Sequence, residues 1–502
     1  MKKNTKHFDY AGFAPDFDDI TASFRAMAKQ PAGLVKEARE VLEIARAFTD
    51  EVVRPSVAAL EAAVSDDPDY LPWDFVKQAN EWELYTMFIP RMFGGRGYSF
   101  SCVNFLIEEI GSVCLAMANL VGVHYLGVGL LMSSWNLRLS NRIAREVVSK
   151  QKKGEPCLIS LAMTEPDAGT DSQNIELMNT GNLGCIAQKV PGGYTLTGNK
   201  IFISNGHLSA WHVVHAYTDA WHASENTVML LVKADAAGFS LGKKENKMGQ
   251  KGCPASELIF KDCFVPDDQV CIDNEQLEKL KRSPEKTNEQ IFAYIWGASR
   301  ISVGAFGVAA ARGAYESALK FCSETSLQES RLINQEWCQT ILARMYCNVS
   351  VARAACFEAT QANALHGLWK LMNLKPIYYA ARFTPGWLFK GLSWLLNRSL
   401  TTALIRKICL DHQTDSEIDR VDGWGSIAKV TGTDAGMENC RLALELMGQA
   451  GVRQDNGLEK IVRDTRLLQI YEGTNEINRL NVFKRMIQRS CPDAELFSKA
   501  TI

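Results

Sequence analysis

The sequence predicts an α+β chain of three blocks in the order helix, sheet, helix. Three observations carry that expectation. Apolar residues recur at helical spacing from about Leu34 to Lys153. Short β-branched runs, divided by Gly, Asn, Asp and Pro, fill Cys157 to Asp273. From Glu289 onward a second helical region is crowded with small residues. At 502 residues the chain exceeds one hydrophobic core, so several units are required. The expected boundaries are an N-terminal extension at 1–33, a helical domain at 34–155, a β-domain at 156–280 and a helical bundle at 285–502.

In the first block, VKEAREVLEIARAFTDEVVRPSVAALEAAV sets Leu42, Ile44, Ala45 and Phe48 at helical spacing with charges between. PRMFGGRGYS then supplies a glycine-rich turn. VCLAMANLVGVHYLGVGLLMSSW is the most apolar early stretch, but Asn119 and His124 interrupt it, so it reads as a buried helix and not a membrane span. In the second block GGYTLTGNKIFISNG, HVVHAYTD, TVMLLVKAD and SELIFKDCFVP read as antiparallel strands of a small barrel or sandwich. In the third, RISVGAFGVAAARGAYESALKFCSE implies closely packed bundle helices.

A segment at 363–420 does not match its neighbours. No acidic residue lies between Glu358 and Asp411, yet Lys370, Lys375, Arg382, Lys390, Arg398, Arg406 and Lys407 are interleaved with Trp369, Tyr378, Tyr379, Phe383, Trp387, Phe389 and Trp394. Pro376 and Pro385 divide it into short helices. Two readings stand: a hairpin packed on the protein or a second subunit, or a membrane-surface contact through 366–410, where cations lack local counter-charges.

The net charge of -2 gives no overall attraction to nucleic acid. The fourteen cysteines lack paired spacing, which speaks against zinc sites and disulfides and for a reducing, cytoplasmic compartment. No metal site is expected. The polar, acidic start MKKNTKHFDYAGFAPDFDD is not that of a signal peptide, so the expected location is cytoplasmic, peripheral on the inner face of the membrane if the insertion binds lipid.

Chemistry concentrates in a few stretches. LAMTEPDAGTDSQNI runs from a strand into a turn that exposes backbone N–H groups and hydroxyls, suited to a carbonyl-rich ring or a phosphate. NKIFISNG could lay an aromatic against a flat ring or be an ordinary half-buried strand. LLQIYEGTNEINRL places Glu472 between Tyr471 and Gly473 after an apolar run. It could be a helix-start acid or a base at an apolar wall. Neither a GxGxxG fingerprint nor a Walker A loop is present.

Taken together, TEPDAGTD, NKIFISNG, KMGQKG with LIFKDCFVP, GQAGV and RDTRLLQIYEGTNEINR resemble, in order and spacing, the acyl-CoA dehydrogenase family from about Leu34 to Arg485, apart from the insertion. The resemblance implies a helical N-terminal domain, a central β-domain, a C-terminal four-helix bundle and bound FAD. It also implies α,β-dehydrogenation of an acyl-CoA thioester, electron delivery to an electron-transfer flavoprotein, and a homodimer or homotetramer. Glu472 matches the family's α-proton base, and its backbone N–H matches one of the carbonyl-polarising donors. Met163, Thr164, Gly169 and Thr170 match the flavin loop, and Phe202, Ile203 and Ser204 the strand against the ring. Gly448, Thr474 and Glu476 match further cofactor positions. On the substrate side the match assigns Thr170, Arg300, Tyr471 and Gly473.

The chain also departs from the family. Thr325 stands where many members carry an arginine for the FAD pyrophosphate, which leaves Arg331 as a candidate substitute. Glu336 and Glu445 replace glutamines, Gln449 replaces a glycine, and Gly297 replaces an aspartate. An acyl-CoA oxidase, an enoyl-CoA reductase and a non-catalytic binding protein on the same fold are the competing readings.

Overall fold

The structure is a computed structural model that describes residues 22–496 except Gln328. Most of the expected extension, and with it the polar start, lies outside the described residues.

The helical domain contains α1 (Ala22–Lys29), α2 (Gly33–Phe48), α3 (Arg54–Asp66), α4 (Trp73–Glu81), α5 (Val103–Gly111), α6 (Leu115–Ser133) and α7 (Leu137–Gln151). α6 is the apolar stretch, and it is buried as expected. The polar residues that interrupt it tie domains together. Asn119 donates to Gln250 Oε1 at 3.0 Å. His124 Nδ1 accepts from Ile159 N–H at 3.1 Å, so its Nε2 carries the proton and donates to the Tyr85 carbonyl at 3.0 Å. Burial lowers the His124 pKa to about 4, which keeps that tautomer neutral.

The sheet comprises β1 (Leu158–Ala162), β2 (Ile186–Val190), β3 (Gly193–Ser204), β4 (Ser209–Tyr217), β5 (Thr227–Lys233), β6 (Phe239–Lys244), β7 (Ala255–Pro266) and β8 (Val270–Ile272), ordered β6-β7-β3-β2-β4-β5-β8 with β1 on β4. Pro191-Gly192 closes the β2–β3 hairpin, with Gly192 at φ 85. The sheet is mixed where antiparallel strands were expected: β1 and β2 each pair with β4 in parallel. The β2–β3 hairpin intervenes between β1 and β4, and a crossover of that length permits a parallel pairing that local strand signals do not reveal.

The bundle is built from α8 (Pro284–Glu324), α9 (Glu336–His366), α13 (Asp415–Met447), α14 (Leu458–Leu468) and α15 (Asn475–Val482). α10 (Lys375–Phe383), α11 (Gly386–Leu396) and α12 (Ser399–Asp411) form the insertion between α9 and α13. A glycine seam brings α8 and α13 together. A Cβ on Gly304 would sit 2.6 Å from the Ala428 carbonyl oxygen, and one on Gly432 would sit 2.3 Å from that of Gly304. The same seam explains Gly297, where a Cβ would lie 2.9 Å from the Val421 carbonyl oxygen: the aspartate of other members has no room here.

Within the insertion, Pro376 starts α10 and Pro385 caps α11. The expectation that its cations lack counter-charges needs correction, because acids at the segment's C-terminal edge and on α2 pair with them. Lys370 pairs with Glu417, Lys407 with Asp411 at 2.7 Å, and Arg382 with buried Glu37 of α2 at 3.2 Å. Arg406 is buried and donates to the Ser134 and Cys271 carbonyls at 2.8 and 2.9 Å, which nails α12 to the rest of the protein. Lys390 and Arg398 remain on the exposed side, Arg398 over the Trp394 ring at 5.4 Å. Phe383, Trp387 and Leu400 are 77, 73 and 79% exposed.

Candidate functional site

A cavity of about 1110 Å³ lies where the helical domain, sheet, bundle and insertion meet. On one side it is lined by Met163, Thr164, Gly169 and Thr170, the loop leaving β1, and by Phe202, Ile203 and Ser204 at the end of β3. Facing them across the same cavity are Tyr471, Glu472, Gly473 and Thr474, the turn between α14 and α15. Stretches far apart in sequence thus share one chamber.

Two local devices shape the first wall. Lys200 is fully buried, and its Nζ donates to the Met163 carbonyl at 2.9 Å and to Glu165 Oε1 at 2.7 Å. Glu165 also accepts from the Gly184 and Cys185 N–H groups. This pins the loop to the sheet. A bulge between Lys200 and Ile203 then breaks the β3–β7 register and holds Phe202 at φ 58. The ring of Phe202 is 57% exposed, an aromatic turned onto an open wall instead of into the core. Such a wall fits a flat aromatic ring system, so these residues fit the flavin that the motifs imply.

The opposite wall presents Glu472. Its backbone is left-handed, at φ 56, a conformation that costs a non-glycine residue about 1 kcal/mol or more. Three groups hold the turn. Lys429 of α13 donates to the Gly473 carbonyl and to Asn475 Oδ1, each at 2.7 Å. Asn478 Nδ2 donates to the Gly473 and Thr474 carbonyls at 2.9 Å. Thr474 caps α15 by accepting from Ile477 N–H. The acid in the first turn of α15 is Glu476, so Glu472 is not a helix-start acid. Among the described residues no backbone acceptor is spent on the Glu472 N–H, which leaves that donor for a ligand.

Five charged side chains line the cavity: Glu37, Arg91, Lys247, Arg382 and Glu472. Glu37 accepts from Ser99 N–H, Tyr378 and Arg382. Arg91 donates to the Arg382 carbonyl and Lys247 to that of Cys253. Glu472 differs, because its buried Oε2 has no hydrogen-bond partner. Burial raises its pKa above the ordinary carboxylate value, while Arg300, Ser299 and Lys429 pull in the other direction. Burial outweighs them, giving a carboxylate that gains from taking a proton.

Not every expected residue reaches the chamber. Arg300 is buried behind it, paired with Asp422 at 2.7 Å, and lines a recess of about 40 Å³ with Thr170, Lys484 and Arg485. Gly448 is exposed at the end of α13, and Glu476 is exposed and pairs with Arg479. Thr325 is half-buried and Arg331 exposed beyond the far end of α8, about 37 Å along the helix from Arg300 in the case of Thr325. Sequence reasoning missed Lys429, Asn478 and the Lys200–Glu165 pair. The signal for Lys429 was there: a lone cation in GWGSIAKVTGTDAG, a stretch made mostly of small residues. Gln250 was also missed. It bonds to Asn119, Asp464 and Tyr471, so KMGQKG braces the turn that carries Glu472.

Family comparisons agree with this geometry. The profiles of the acyl-CoA dehydrogenase N-terminal, middle and C-terminal domains match residues 35–135, residues 160–263, and residues 293–368 with 401–487. Residues 369–400 fall in the gap of the last match. A probable acyl-CoA dehydrogenase of Mycobacterium tuberculosis is 24% identical over 91% of this chain and 96% of its own. Cyclohex-1-ene-1-carbonyl-CoA dehydrogenase of Syntrophus aciditrophicus is 27% identical over 79% of this chain and 78% of its own. Butyryl-CoA dehydrogenase from Megasphaera elsdenii shares the fold, with a TM-score of 0.66 and 19% identity over 89% of this chain and 97% of that one. With its three domain profiles matched in order around a chamber that joins their motifs, the chain belongs to the acyl-CoA dehydrogenase family of FAD-dependent oxidoreductases.

Proposed function

We propose that the protein converts a bound acyl-CoA thioester to the trans-2-enoyl-CoA, with Glu472 as the base that removes the α-proton. The observation that carries this reading is the orphaned, buried Oε2 of Glu472 in a largely apolar cavity whose other charged side chains each have a hydrogen-bond partner. A thioester α-C–H is weakly acidic, so the base must be both desolvated and aimed. Burial supplies the first, and the turn held by Lys429 and Asn478 the second. The free N–H of Glu472 lies beside the same carboxylate and would stabilise the enolate oxygen as charge develops there. Met163, Thr164, Gly169, Thr170, Phe202, Ile203, Ser204 and Thr474 are positioned to hold FAD. FAD, when bound, supplies the two-electron acceptor for the β-hydride. Electron-transfer flavoprotein is the proposed partner that drains those electrons, a reading supported by family membership. The exposed face of α11 and α12 is proposed as a peripheral contact with the inner face of a membrane.

The test is anaerobic mixing of the flavin-loaded protein with a panel of acyl-CoA thioesters while flavin absorbance is followed. Wild type bleaches with its preferred thioesters, and Glu472→Gln bleaches at least about a thousandfold more slowly, the loss expected of a base together with its alignment. Equal rates would remove Glu472 from the role.

A further inference from the structure

We infer that residues 369–405 of the insertion form the tail end of the acyl site, so that the substrates are long-chain acyl thioesters whose ω end lies beneath α11. This rests on the acyl-CoA reading above and deepens it.

Trp369, Met372, Ile377, Phe389, Leu396 and Ile405 line the same cavity as Glu472 and Phe202. All are apolar, and they come from every helical piece of the insertion. The Trp369 ring meets Phe100, itself a cavity residue, edge-on at 5.6 Å between centroids, which joins this wall to the helical domain. The family's C-terminal profile leaves 369–400 unmatched, so most of this wall is this chain's own addition. At about 1110 Å³ the chamber is slightly larger than the ~1,000 Å³ upper range of single small-molecule sites, and its lining runs from Glu472 to the insertion's Ile405.

The Glu37–Arg382 pair on this wall is already satisfied within the protein. Glu37 is closed off by Ser99, Tyr378 and Arg382. The Arg382 guanidinium is in turn occupied by Glu37, the Gly97 carbonyl at 3.3 Å and the Tyr98 ring at 5.3 Å. The cluster clamps α10 to α2 and offers no free charge to a ligand, so an apolar tail is the matching occupant. α11 completes the argument. Phe389 and Leu396 face the cavity while Trp387 and Trp394 face outward, so this helix is apolar on both sides. A helix apolar all round is normally buried on both sides; here the inner side packs in part on residues 91–93 and α7, and an apolar occupant of the cavity would cover the rest.

The test uses the flavin-loaded full chain and a hexadecanoyl-CoA carrying a diazirine at its ω carbon. After irradiation, peptide mass spectrometry is expected to place the label within 369–405, with palmitoyl-CoA competing at much lower concentration than butyryl-CoA. A second arm fills the wall: Phe389→Trp or Ile405→Trp should lower kcat/KM for palmitoyl-CoA about tenfold or more while leaving butyryl-CoA unchanged. Bleaching of the flavin with label confined to α5 and α6 overturns the inference and leaves the base assignment intact. Label within 369–405 without bleaching sustains the tail site and removes the proposed reaction. Neither bleaching nor label removes both.

Discussion

Lys429 Nζ lies 2.7 Å from the carbonyl oxygen of Gly473, the residue that follows the buried carboxylate. One bundle lysine thus holds the backbone of the turn and supplies a positive charge near Glu472. Burial, reinforced by repulsion from Arg300, lowers the Lys429 pKa to about 7, with Glu472 opposing the shift. The charge of Lys429 in turn holds the Glu472 pKa down. Lys429→Met should therefore raise the Glu472 pKa and move the acid limb of the bleaching-rate profile to higher pH. It should also slow bleaching about tenfold or more through misalignment of the turn. Stopped-flow bleaching across the neutral range checks both, and a fixed limb would show that the two groups are not coupled.

Glu472 should also trade stability for chemistry. Its folded pKa is raised above 4.5, so between 4.5 and the folded value the native state binds more protons than the unfolded one. The Glu472 contribution to stability is then greatest below about pH 4.5, declines as pH rises through that window, and stays lost above it. Glu472→Gln removes this cost. At neutral pH the flavin-loaded variant should melt about 2 °C above wild type, with the difference vanishing below about pH 4.5. Differential scanning calorimetry at several pH values checks the sign.

The Lys200–Glu165 pair predicts an effect on cofactor retention. Lys200→Met leaves the Glu165 carboxylate buried without its cation, a loss of about 3–5 kcal/mol, and frees the Met163 carbonyl. The variant should melt earlier and lose flavin absorbance on gel filtration. The double variant Lys200→Met/Glu165→Gln should regain part of the stability because no unpaired charge remains.

The exposed side of the insertion predicts lipid binding. Phe383→Ser with Trp387→Ser removes two large exposed apolar side chains and leaves the cavity-facing residues in place. Flotation with vesicles containing anionic phospholipid should recover wild type, recover the double variant at least about threefold less well, and weaken with added salt. Equal flotation of both would show that this face does not carry membrane binding.

The three-block order was legible because periodicity changes sharply near Cys157 and again near Glu289. The burial of α6 was legible too, since Asn119 and His124 demand partners that only a folded interior provides. The parallel pairings of β4 were not, because register across a long crossover leaves no local trace. Within the site, Glu472 and the two flavin stretches stood out by motif. Their opposition across one chamber depends on packing among α6, α8 and α13, which no single stretch encodes. The insertion misled in a specific way: its cations seemed uncompensated because Asp411 and Glu417 lie at its C-terminal edge and Glu37 lies more than three hundred residues earlier in the chain.

The insertion leaves and rejoins the bundle through a narrow neck. Lys370 Nζ reaches both the His412 carbonyl at 2.6 Å and the Glu417 carboxylate, so the turn that follows α9 and the first turn of α13 are stapled by one side chain. Closing a loop at such a point makes its length nearly free in entropic terms, since each doubling adds only about 0.6 kcal/mol. The segment is therefore modular. Its helices could be exchanged for longer, shorter or differently charged ones without moving the turn that carries Glu472, so one catalytic frame could serve tails and surfaces of very different kinds.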